Sequence, residues 1–388
     1  MSRDRLYGIG EPLTSRGLHG DLDPMVGLEL MDAMGCTAFR EWMHIPDILS
    51  DPITPKPKAV EAYTRTLNRC KELDIEVTGM SHKWFLPDGS ISGAENLKRD
   101  IAPGSEYRKM LEMLETSWCT LASTFPQVTQ WEVGNEWNID IFLHPVGWHY
   151  GLPSFSLEEK MDIAVDMMYF SARGIRRGNP EAKVVSFSPT VQKDGLPYFI
   201  PCQYGMALAL EKVYQRIESG NFWSTKSDDF FDLLAWHPYL PTQMTYAPIL
   251  ENYPAASFFN REEAPDALWR GYNDAAYNVM VRHGDGHKKV LLTEFGFSDK
   301  GDPEWEKRQA ELFRMAFDIA KTMPYIKTLH SFRLFEQESM GQSDDPGTIS
   351  GTAEVYFGFF REPRYHYAPR NKAYALQNIY GGKGTLKR

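Results

Sequence analysis

Short apolar runs and longer amphipathic stretches alternate along the chain from one end to the other. The short runs, rich in Val, Ile, Phe and Trp, predict strands; the longer ones, with apolar residues three and four apart, predict helices. After the strand "RLYGIG" comes the helix "DPMVGLELMDAMG", which the sequence closes with Gly35 as its C-cap. "CTAFREW" is then extended, "KAVEAYTRTLNRCKEL" helical, "IEVTGMS" extended and "SEYRKMLEMLETSWCTLA" helical. The strand "VTQWEVGN" leads to a long helix that opens with a capping box, Ser156 with Glu159, and stops at Gly178-Asn179-Pro180. "AKVVSFS", "FFDLLAW", "KKVLLTEF" and "IKTLHSFRLF" are the later strands. Between and after them lie the helices "YGMALALEKVYQRI", "PDALWRGYNDAAYNVMVRH", "PEWEKRQAELFRMAFDIAK" and "NKAYALQNIY".

Eight strands, each followed by a helix, must pair in parallel, because every crossover returns the chain to the same end of the sheet. Eight such units predict a closed (β/α)8 TIM barrel, an α/β fold of about 250 residues before its loops are added. A chain of 388 residues then allows a single barrel domain over 1–388 with long βα loops. A doubly wound open sheet is the competing architecture. It would carry a glycine-rich first turn leading into a helix, and "GIGEPLT" lacks that spacing.

Composition adds exclusions. The net charge is −10 with scattered basic residues, so neither a nucleic-acid face nor a membrane-surface helix is expected. Four cysteines are widely spaced, and Cys36, Cys70 and Cys119 sit among apolar residues as buried thiols. The N-terminal stretch has no apolar core of a signal peptide and no run reaches the length of a membrane span, so a reducing cytoplasmic location is expected.

In this fold the chemistry belongs to the C-terminal ends of the strands. Strand 2 ends in Arg40 and Glu41, strand 3 in "SHKWF" with His82 and Trp84, and strand 4 in Asn135 and Glu136. Strand 6 ends in "WHPY", with Trp236, His237 and Tyr239; strand 7 ends at Glu294 and strand 8 near Arg333. Glu136 and Glu294 are three βα units apart and therefore face each other across the mouth. Two facing carboxyl groups are the apparatus for cleaving a glycosidic bond. Alternation also puts Glu132 on the face of Glu136 but deeper, where it needs a cation such as Arg40.

The motifs "WEVGNE", "WHPY" and "TEFGFS", with the tail "VYFGFFREPRYHYAPRNKAYALQNI", resemble the clan A glycoside hydrolases, near families 5 and 39, over nearly the whole chain. The resemblance implies a retaining mechanism with Glu136 as acid/base and Glu294 as nucleophile. It implies Asn135 on the sugar 2-hydroxyl, Arg40 and Tyr239 on Glu294, and His82 and His237 lining the subsite at the cleavage point. It implies no metal and no cofactor. Where that clan has a Trp at the end of strand 8, this chain has "LHSFRLFEQE", which puts Arg333 or Phe335 near the position. An inward Arg333 would suit a uronic acid or other acidic substituent; the competing reading is a surface arginine or one that supports the site from behind. Trp84, Trp137 and Trp236 are candidates for stacking on a sugar, with core packing as the alternative.

Three other readings compete. A metal-dependent barrel hydrolase would collect several His and Asp ligands, often a His-x-His on strand 1, and strand 1 has no His. A non-catalytic carbohydrate-binding barrel would have no need of both carboxylates. A transglycosylase shares the first half-reaction and stays open beside the hydrolase. The expected partner is an oligosaccharide or glycoside. The sequence specifies neither the sugar nor the oligomeric state. The long segments after strands 4, 6 and 8 are expected to wall the cleft as a pocket, which favours exo action.

Overall fold

The computed structural model describes residues 6–149, 152–191, 205–240, 265–296, 303–337 and 356–386. Eight parallel strands form the main sheet: β1 Tyr7–Glu11, β2 Ala38–Trp42, β3 Glu76–Ser81, β4 Gln130–Val133, β5 Lys183–Val185, β6 Leu234–Trp236, β7 Val290–Phe295 and β8 Ile326–Phe332. Their spatial order is β5-β4-β3-β2-β1-β8-β7-β6. Parallel bridges from Val185 to Leu233 and from Thr190 to His237 join the two ends, so the sheet closes on itself. This is the (β/α)8 barrel that the alternation predicts.

The helices follow the expected positions: α1 Pro24–Met34, α2 Pro57–Glu72, α3 Glu106–Thr124, α4 Leu157–Gly178, α5 Gly205–Glu218, α6 Pro265–Arg282, α7 Pro303–Ala320 and α8 Asn371–Tyr380. Asp23 caps α1, accepting from the Met25 amide, and Gly35 ends it in the left-handed region at φ 88°. The capping box of α4 forms as read, with Ser156 and Glu159 bonded reciprocally.

The main apolar core lies between strands and helices. A smaller cluster of Val185, Ala235 and Leu291 plugs the barrel itself. Above that plug the interior turns polar: Arg40, Glu132, Ser188, His237, Thr293 and His330 are all buried. Charges so placed must be paired.

Two strands are shorter than the apolar runs suggested. β5 ends at Val185, after which the Ser186 hydroxyl accepts from the Ala235 amide and the Ser188 hydroxyl donates to Glu132. β6 begins only at Leu234, because Asp232 turns aside to accept from the Val184 amide. Both departures come from side chains competing for the backbone groups that a ladder would use. No helix among the described residues is long and apolar enough to cross a membrane. Cys202 and most of the wall segments after strands 6 and 8 lie outside the described residues.

Candidate active site

The Asn135-Glu136 pair is presented by a sharp turn at the end of β4. Gly134 sits at φ +98°, and a Cβ there would fall 2.3 Å from the Trp137 ring, so only glycine fits. Glu136 itself is left-handed at φ 46°, a conformation that costs a non-glycine residue about 1–3 kcal/mol and is common where function requires it. Hydrogen bonds donated by the Gly134 N–H to the Ser81 carbonyl and by the Glu136 N–H to the Ser188 carbonyl, both 2.9 Å, tie the turn to its neighbouring strands.

Arg40 organises the floor. Its Nε and Nη2 donate to the two oxygens of Glu132, at 2.6 and 3.0 Å, the pairing that alternation along β4 required. Nη2 also donates to Asn135 Oδ1 at 2.9 Å, and Nη1 to Glu294 Oε1 at 2.5 Å. Tyr239 donates its hydroxyl to the other oxygen of Glu294 at 2.9 Å. The nucleophile candidate is thus gripped by a guanidinium and a phenol.

Glu136 lives differently. Burial pushes its carboxyl up to about 8; the Thr190 hydroxyl and Arg40 oppose the rise and Glu132 adds to it. Oε1 lies 2.7 Å from His237 Nδ1, and the ring's Nε2 lies 3.0 Å from the Thr293 hydroxyl. Burial also pushes His237 down to about 4, with Glu294 opposing and Arg40 assisting, so the ring is neutral near pH 7. Nδ1 is 3.8 Å from Glu294 Oε2, and one ligand atom from each of the three residues lies within 4.8 Å of the others. Such a trio can resemble a metal site. Two ligands on a tetrahedral ion stand about 3.3 Å apart, whereas the Glu136–His237 contact is a hydrogen bond.

The remaining expected residues divide. His82 lies against His44, ring centroids 4.4 Å apart, and against Phe142; burial, then Lys83 and Arg40, pushes it down to about 3. Its Nδ1 and that of His44 have no hydrogen-bond partner among the described residues. Trp84 is 1% exposed and meets Trp137 edge to face, while Trp137 stacks on Phe187. Both indoles are packing elements with no free face. Trp236 is a correction: next to the inward His237, it points the other way and donates its indole N–H to Asn273 of α6 at 2.8 Å.

Arg333 is a second correction. Its fork does not await a ligand, because Nη2 and Nε hold Glu11 at 2.8 and 3.2 Å and the side chain is buried. The aromatic near the end of β8 is Phe332 rather than Phe335, which packs on Phe360 and Tyr367. Phe332 meets the edge of Trp42 and also Phe357, which in turn meets Tyr239. Trp42 lies beneath both guanidiniums, 5.7 Å from Arg40 and 5.9 Å from Arg333, and is partly exposed. Strict alternation could have found it, two residues beyond Arg40 on the same face. Thr293 and Glu294 could not both be found that way. A register irregularity between Leu292 and Phe295 brings both Thr293 and Glu294 to the inner side, where a regular strand would separate them.

No protein-family model matches the chain, and no curated protein matches it by sequence. Solved structures do match. A family 39 glycoside hydrolase from Bacteroides cellulosilyticus WH2 superposes with a TM-score of 0.60 at 13% identity, covering 98% of this chain and 64% of that one. The GH5_18 protein from Streptomyces cattleya, in complex with GlcNAc, gives 0.60 at 14% identity over 100% and 83% of the two chains. The beta-glucosidase from Thermotoga maritima, in complex with castanospermine, gives 0.62 at 13% identity over 99% of both. The barrel of these glycoside hydrolases is the barrel of this chain, and families 5 and 39 are both among its neighbours, as the motifs implied.

Proposed function

We propose that this chain is a retaining glycoside hydrolase that cleaves a β-glycosidic bond by double displacement, with Glu136 as acid/base and Glu294 as nucleophile. The observation that carries the reading is the approach of the two carboxyl groups, with one oxygen of each inside the 4.8 Å cluster around His237. Retaining enzymes hold their carboxyls about 5–5.5 Å apart, and inverting enzymes need about 6.5–9.5 Å to admit a water.

The two environments then divide the labour. Glu136, protonated in its dry setting, gives its proton to the glycosidic oxygen as the bond breaks. Glu294, facing Arg40 and Tyr239, attacks the anomeric carbon and forms the glycosyl-enzyme. Water then enters, Glu136 takes its proton, and the sugar leaves. Asn135 has its carbonyl oxygen on Arg40, which turns the amide N–H groups outward for the 2-hydroxyl of the sugar. This chemistry uses side chains alone and runs on one barrel domain.

The substrate class follows from the site: a glycoside or oligosaccharide, with Trp42 as the partly exposed aromatic surface beside the carboxylates. Transfer to a second sugar in place of water would use the same first step. A panel of aryl β-glycosides (gluco, galacto, manno, xylo, arabino and glucurono forms) tests the reading. Hydrolysis of one member, abolished in Glu294→Ala and reduced about 10²–10⁴-fold in Glu136→Ala, is the expected result. Turnover that survives in Glu294→Ala would overturn it.

A further inference from the structure

We infer that Thr293 and Glu132 are positioning residues that decide which ring nitrogen of His237 carries its hydrogen, and so hold the proton on Glu136. The inference rests on the acid/base reading of Glu136 and adds to it the device that keeps the acid loaded.

The argument is one of hydrogen counting. Among the described residues Glu132 is bonded only by donors: two groups of Arg40, the Ser188 hydroxyl and the Thr293 hydroxyl, the last at 3.0 Å from Oε1. Thr293 has a single hydroxyl hydrogen, and a carboxylate locked on a guanidinium claims it. The Thr293 oxygen can then only accept from His237 Nε2, 3.0 Å away, which places the ring hydrogen on Nε2. The neutral ring has no second hydrogen, so Nδ1 carries a lone pair. That lone pair faces Glu136 Oε1 at 2.7 Å, and only a protonated carboxyl can complete the contact. The chain therefore runs in one direction, from the Glu136 hydroxyl to His237, to Thr293, to Glu132 and its Arg40 anchor.

A hydrogen bond that needs the neutral form of an acid favours that form. When Glu136 has delivered its proton, its carboxylate faces a lone pair at short range, and taking a proton back from water is promoted. The titratable and charged groups around the pair are Arg40 on β2, Glu132 on β4, Tyr239 after β6, Glu294 on β7 and His330 on β8. Of these, only Glu132 is bonded to the Thr293 hydroxyl, and without it Glu132 keeps its two Arg40 groups and the Ser188 hydroxyl.

Thr293→Val keeps shape and removes the hydroxyl. His237 then moves its hydrogen to Nδ1, donates to an ionised Glu136, and the alkaline limb of the kcat/KM profile falls by about one pH unit or more. Thr293→Ser restores the wild-type limb. A Val variant with lower kcat but an unmoved limb overturns the inference, because a merely structural role would do that. Nitrogen-15 NMR of histidine-labelled wild-type protein, with the signal assigned by its loss in His237→Gln, needs neither a substrate nor the Val variant. It is expected to show the hydrogen on Nε2 of His237; a hydrogen on Nδ1 overturns the chain. An Nε2–H ring in a protein that hydrolyses no glycoside would instead sink the proposed function and leave the hydrogen-bond chain standing.

Discussion

Arg40 holds Glu294 at 2.5 Å with one edge of its guanidinium while its other edge is locked on Glu132. The arginine has no solvent exposure, and its two carboxylate partners, Glu132 and Glu294, depend on it for charge balance. Arg40→Met is expected to leave two carboxylates uncompensated and to destabilise the fold by about 3–5 kcal/mol. Urea denaturation of both proteins measures it. A loss below about 1 kcal/mol would mean that the buried network does not need its cation.

The carboxyl of Glu136 should govern activity on the alkaline side. An acid raised to about 8 works when protonated, so kcat/KM is expected to hold through neutral pH and fall as pH rises through about 8. Stability shares the sign. The folded state keeps this proton where an unfolded glutamate has lost it, so the contribution is complete below about 4.3 and disappears as pH rises through about 8. Glu136→Gln removes that dependence. The variant is expected to gain on wild type in thermal melts from pH 5 to 8, and a constant difference would contradict the assignment.

Trp42→Ala removes the partly exposed ring that lies near two guanidiniums and beside Phe332. If that ring carries a sugar face, kcat/KM falls about tenfold or more while melting temperature changes little, and Trp42→Phe recovers part of the loss. Unchanged kinetics in Trp42→Ala would assign the ring to packing.

Arg333 is buried with its Nε and Nη2 on Glu11, inside the fold. Arg333→Ala is expected to weaken hydrolysis of neutral and glucuronide substrates to the same extent, through a loosened fold. Selective loss on the glucuronide would reinstate direct recognition.

Much of this site was legible because two periodicities held. The capping box at Ser156 and the C-cap at Gly35 delimit helices with local chemistry alone. The Arg40–Glu132 pair follows from a period of two on β4 and the cost of an unpaired buried charge. What could not be read arose where the period breaks or where two partners are far apart in the chain. The irregularity in β7 brings Glu294 inward beside Thr293, which shares the inner face with Leu291. The Arg333–Glu11 pair joins the last strand to the first across 322 positions, and no local pattern marks it. Trp236 looks away from the site because its neighbour His237 faces it; adjacent residues on a strand point in opposite directions.

The joint between β5 and β6 is made by isolated bridges, one of them linking Thr190 to His237. Every other joint of the ring is a ladder of three or more registered residue pairs, continuous except where β7 shifts register against β8. A closed ring of springs yields first at its softest link, so breathing of this barrel concentrates where the acid and its histidine meet. Amide exchange should therefore be fastest along that seam. The joint that carries the Glu136–His237 contact is then the part of the ring from which local opening starts.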